Sequence, residues 1–138
     1  MARLEHDRIV KAIVAAEAKT SGEIRVFIQR GEIDDVVAAA RTRFQKLGMT
    51  ATRERNAVLI FVAPRSQKFA VIGDEGIHQQ CGDAFWRQLV EAIGDHFKRE
   101  EFTSAIVQAI EVAGERLAQH FRRRDGDRNE LPNRVEEM

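Results

Sequence analysis

At 138 residues the chain is long enough for one domain with a buried core and needs no cross-links to hold it. Its 22 Lys and Arg balance 22 Asp and Glu, so no net field steers it toward nucleic acid or an anionic membrane. The single cysteine, Cys81, excludes an internal disulfide and a cysteine-rich zinc centre, and no stretch approaches the roughly 20 apolar residues that span a bilayer. The charged start, MARLEHDR, lacks the apolar centre of a signal peptide, so the expected location is cytoplasmic.

Residues 4–20 set Ile9, Val10, Ile13 and Val14 against Arg8, Lys11, Glu17 and Lys19, a helical stripe that stops before Gly22. Glu23 to Arg30 then alternates, with Ile24, Val26 and Ile28 on one side, and reads as a strand closed by Gly31. A second helix follows from about Asp34, a candidate cap, through Val36, Val37, Ala40, Phe44 and Leu47 to Gly48. Thr50 to Asn56 is polar and aperiodic, a surface loop. The seven apolar residues Ala57 to Ala63 predict a strand buried on both faces, the middle of a sheet. Because Pro64 cannot donate to a ladder and Arg65 to Gln67 are turn-prone, the next apolar run, Phe69 to Ile72, should return antiparallel to it. The first strand, its helix and the central strand make a βαβ unit with parallel strands.

Gly73-Asp74-Glu75-Gly76 places a glycine-flanked acidic pair at the carboxyl end of a strand, where open α/β sheets tend to bind ligands. Ile77 to Cys81 predicts a helical turn. Asp83 then caps a third helix whose apolar face is Phe85, Trp86, Leu89, Val90, Ile93 and Phe97. A fourth runs through Ile106, Val107, Ile110, Ala113, Leu117 and Phe121, with Arg122 to Arg124 complementing its negative end. The expected order is α-β-α-β-β-α-α, a single-domain three-layer α/β/α sandwich with a mixed sheet over residues 1–124, followed by a polar tail over 125–138 whose apolar punctuation is Leu131-Pro132.

Several stretches together resemble the TPM domain family: TSGEI (Thr20 to Ile24), FQKLGMTATRERNAVLIFVAP (Phe44 to Pro64), FAVIGDEGIH (Phe69 to His78), Phe85-Trp86, the His96 to Phe121 segment and NELP (Asn129 to Pro132). The family name joins a thylakoid lumen protein, a photosystem II repair protein and a nematode receptor modulator. The resemblance implies an α/β sandwich, weak acid phosphatase activity and divalent-cation binding as in plant members, and accessory roles in repair and receptor modulation. Many relatives carry a signal peptide and a membrane anchor; this chain resembles the short, soluble bacterial branch. Ala57 stands where the family's RNGVLI-like stretch has glycine.

Asp74, Glu75 and Asp83, with Glu23 at the start of the neighbouring strand, form the candidate metal set. Hard cations such as Ca²⁺ or Mg²⁺ take carboxylate and loop carbonyl oxygens of this kind. In the plainer reading Asp74 and Asp83 are caps and Glu23 is solvated, and no calcium-loop spacing is present. For phosphoryl chemistry Asp74 is the candidate nucleophile or metal ligand, His78 the proton donor, and Arg53 or Arg55 the phosphate clamp. No DxDx, Cys-x5-Arg or Walker motif accompanies them. Arg122 to Arg124 is neutralised at once by Asp125, Asp127 and Glu130, which argues against nucleic acid. The expected function is a module that binds a divalent cation, a protein partner, or both through Gly73 to His78; the alternative is a metal-assisted phosphatase acting on phosphate monoesters.

Overall fold

The computed structural model describes residues 4–122 and 135–137. Helix α1 (His6–Glu17) buries Ile9 and Ile13 of the expected stripe together with Ala16 and Glu17, whereas Val14 is half exposed because the face that meets the core turns toward Ala16. Strand β1 (Glu23–Ile28) leads into α2 (Val36–Lys46), capped by Asp35 rather than Asp34: Asp35 Oδ1 accepts from Ala38 N at 3.0 Å. Strand β2 (Ala57–Ala63) is buried along its whole length. A 3-10 turn, Pro64–Ser66, with Gln67 left-handed at φ 52°, closes the hairpin to β3 (Lys68–Gly73). Helices α3 (Glu75–Lys98) and α4 (Phe102–His120) follow.

The sheet is mixed, as expected. β1 and β2 are parallel from Glu23↔Ala57 to Ile28↔Val62, and β2 and β3 are antiparallel from Val58↔Gly73 to Ala63↔Lys68. A fourth strand, β4 (Val135–Glu137), lies parallel to β1 and gives the order β3-β2-β1-β4. The expected order lacked it, because a three-residue strand in a charged tail carries no hydrophobic period. The rest of the tail, Leu131-Pro132 included, lies outside the described residues.

Two hydrophobic clusters make the three layers. Ile24, Val26, Ile28, Val58, Ile60 and Val62 pack under α1, α3 and α4, whereas Phe27, Leu59, Phe61 and Ala70 pack under α2. With both faces covered, the polar members of β1 are buried too: Glu23 is 2% and Arg25 4% exposed. Alternation in the sequence therefore reports which layer a residue faces here, not whether it meets water.

The hairpin also relocates the acidic pair. Since β3 is antiparallel, its carboxyl end lies over the amino ends of β1 and β2. The rule that places ligands at carboxyl ends applies to the parallel pair, and so to the opposite end of the sheet from Asp74.

Candidate functional site

Three polar segments converge at the amino end of β1 and β2: Thr20 to Glu23, Thr52 to Asn56, and Gly73 to Gly76. Each is held by the backbone of another. Glu23 N donates to Asn56 O, Asp74 N to Ala57 O at 3.0 Å, and Gly76 N to Arg55 O at 2.9 Å. The approach at Gly76 is so close that a Cβ there would lie 2.2 Å from Glu54 O and 2.7 Å from Arg55 O. The loop expected to be surface is thus pinned, with Thr52 and Asn56 buried and Arg55 in a left-handed conformation at φ 51°.

Asp74 is the hub. Its carboxylate is 5% exposed and accepts a two-pronged bond from Arg55, Nε to Oδ2 at 2.6 Å and Nη2 to Oδ1 at 2.7 Å. Oδ1 also caps α3 by accepting from Glu75 N at 2.8 Å. The same guanidinium reaches the exposed Glu75, Nη1 to Oε1 at 3.5 Å, and so bridges two carboxylates. Hydrogen bonding to Asp74 raises the Arg55 pKa above its ordinary value; partial desolvation opposes this, and the charges of Asp74 and Glu75 add to it. Beside this pair, Ser21 Oγ donates to Glu54 Oε2, and Asn56 Nδ2 reaches both Ser21 Oγ and Glu54 Oε2 at 3.2 Å.

The other expected residues fall elsewhere. Glu23 is separated from Asp74 by a whole strand, since it pairs with Ala57, whose carbonyl Asp74 meets; two strand spacings amount to about 10 Å. Asp83 comes roughly two and a half helical turns after Asp74, beyond a break in α3 at Gly82, where φ is 71° and ψ −176°. The helical turn expected before Asp83 is the first segment of that broken helix. Among the described residues no group of three His, Cys, Asp or Glu side chains stands ready to hold a metal ion. His78 lies in that first segment of α3, exposed, and its Nδ1 accepts from Trp86 Nε1 at 3.2 Å. Arg53 is exposed on the same loop as Arg55. Burial pushes the Cys81 thiol up in pKa, against the opposing charge of Arg116, so no activated thiolate stands beside the site.

Ser21, Glu54 and Asn56 were not among the expected site residues. Ser21 reads as a turn and Glu54 and Asn56 as loop, yet all three lie within stretches that carry the family resemblance. A TPM domain model matches residues 2–116. The chain belongs to the TPM domain family. Among solved structures it is similar to BA42 from the psychrophilic bacterium Bizionia argentinensis, at 38% identity over 99% of this chain and 97% of that one, with TM-score 0.91. The N-terminal domain of cg2496 from Corynebacterium glutamicum shares the fold alone, at 17% identity over 79% of this chain and 68% of that one, with TM-score 0.62. No curated protein matches. The TPM match spans all three segments of the convergent site and stops short of β4.

Proposed function

We propose that this TPM domain is a binding module for a hard divalent cation, Ca²⁺ or Mg²⁺, received where Arg55 bridges Asp74 and Glu75. That bridge is the observation that supports the reading: two carboxylates already converge on one cationic centre. A carboxylate as buried as Asp74 requires a counter-charge. Arg55 is 40% exposed, so once a cation takes over the carboxylates its side chain has solvent to move into, whereas Asp74 is fixed by its cap bond. Mg²⁺ is commonly held by one or two carboxylates and several waters, so a pair of carboxylates suits it without a third. A protein partner would then meet the surface formed by Glu54, Glu75 and the displaced Arg55.

Amide NMR of the whole chain titrated with Ca²⁺ and Mg²⁺ tests this. Saturable shifts at Glu54 to Asn56 and Gly73 to Ile77 at roughly millimolar ion are expected. Arg55→Gln, which removes the competitor, should bind the ion more tightly. An unresponsive spectrum in both proteins would sink the reading.

The phosphatase reading is supported by the family model's own label, TPM phosphatase, and by one feature of the site: an Arg55 released from Asp74 becomes an available phosphate clamp. A bound cation would supply charge neutralisation at the phosphoryl group. Turnover of p-nitrophenyl phosphate that needs added cation and vanishes in Asp74→Asn is the expected signature. Metal-independent turnover, or full activity in that variant, would rule the site out.

A further inference from the structure

The opposite end of the sheet carries a second feature. Phe27 and Phe61 are register partners on β1 and β2, their rings 5.5 Å apart and 11° from parallel. Arg43, in the last turn of α2, lays its guanidinium 4.3 Å above the Phe27 ring. Beside it a depression of about 280 Å³ is lined by Gln29, Ala38, Ala39, Thr42, Arg43 and Phe61. Its floor is apolar. Its rim offers an amide, a hydroxyl and a guanidinium, and no acidic side chain lines it.

Arg43 differs from the arginines that are held by carboxylates. Arg55 is held by Asp74, Arg8 by Glu5 and Arg99 by Glu101. Among the described residues no carboxylate pairs with Arg43; its contact is the Phe27 ring. A guanidinium over a ring still has N–H donors beyond those facing the ring, and its planar fork can meet a carboxylate with two parallel bonds.

From this we infer that the depression is a binding site for a small organic carboxylate with a flat apolar body. The carboxylate meets the Arg43 fork, with Gln29 and Thr42 as further hydrogen-bonding groups. The body covers Ala38 and Ala39, with the buried Phe61 ring beneath, and gains by leaving water. A cation finds no partner here, and a bare inorganic anion leaves the apolar floor uncovered. The volume limits the ligand to about the size of a single ring or branched chain, at the low end of the usual pocket range. The site adjoins the carboxyl ends of the parallel pair, where open α/β sheets receive ligands, and it is independent of the Asp74 site.

Amide NMR of the full chain titrated with benzoate, and separately with inorganic phosphate and benzylamine, tests the inference. Benzoate should give saturable shifts centred on Gln29, Thr42, Arg43 and Phe61, with phosphate weaker and benzylamine inert. Arg43→Gln should weaken benzoate about tenfold while leaving the rest of the spectrum in place. Thr42→Val gives a second, milder variant expected to weaken binding several-fold. Absence of saturable benzoate shifts overturns the inference. So does an Arg43→Gln protein that binds as well as the parent, or a benzylamine response equal to that of benzoate.

Discussion

Gly73 and Gly76 flank Asp74, and both are required for closeness rather than for an unusual backbone. The two should fail differently. At Gly76 an added methyl group meets the carbonyl oxygens of Glu54 and Arg55, which no rotamer change can move. Gly76→Ala should therefore lower stability by about 1–3 kcal/mol, read from the urea midpoint, and disturb the Arg55 to Asp74 pair with it. At Gly73 the added Cβ would lie 2.3 Å from the far edge of the Trp86 indole, a side chain that can tilt. Gly73→Ala should shift the emission of this sole tryptophan while costing less stability. If Gly76→Ala were the milder change, the close approach would be wrongly placed. Cys81 gives a second check at this scale. Its thiol titrates above the ordinary 9.0 because burial disfavours the thiolate. A raised pKa leaves less thiolate at neutral pH, so alkylation by iodoacetamide should be slower than for an unstructured peptide cysteine and should accelerate only in alkaline solution.

Among the elements, α1 and α4 pack at backbone distance. A Cβ on Gly114 would stand 2.6 Å from Ala16 Cβ, so the two helices meet through a glycine and an alanine. Gly114→Ala should force them apart and cost about 1–3 kcal/mol. Adding Ala16→Gly to the same chain should recover much of it, as measured by thermal unfolding. Failure of that rescue would mean that the loss comes from the helix itself and not from the contact. The same packing carries order toward the site. Thr20 Oγ1 donates to Phe121 O and Gly22 N donates to Thr20 Oγ1 at 3.0 Å, so the end of α4 is tied to the segment that presents Ser21 to Glu54. Helix α3 belongs to the site only through its first segment, because Gly82 breaks it before the long apolar stretch that packs in the core.

For the molecule as a whole, β4 determines what happens at the sheet's edge. It covers Val26 to Ile28 of β1, a strand buried along its whole length. An uncovered strand of that composition is a template for pairing with another chain. Deleting residues 135–138 should lower the unfolding temperature and produce concentration-dependent association, seen by light scattering. A deletion that leaves both unchanged would show that β1 does not depend on this cover. No described helix is long and apolar enough to cross a membrane.

The sequence by itself determined the first three strands, the four helices and the sheet face on which the residues of β1 alternate. Those depend on local pattern: the run Ala57 to Ala63 has strand length, β-branched and aromatic content and a proline after it, which favour a doubly covered strand, and Ile24, Val26 and Ile28 share a side of any strand. It also marked Asp74, Glu75 and Arg55, because a polar pair between glycines and a charged loop interrupt those periods. Only the tertiary structure decided which of the marked residues meet. The antiparallel return of β3 brings Asp74 against Arg55 and leaves Glu23 a strand away, and the break at Gly82 carries Asp83 off along α3. Ser21 with Glu54, or Arg43 with Phe27, are pairs between distant segments that no local pattern encodes. Strand β4 is the extreme case, since three residues become a strand only when a partner edge is there to receive them.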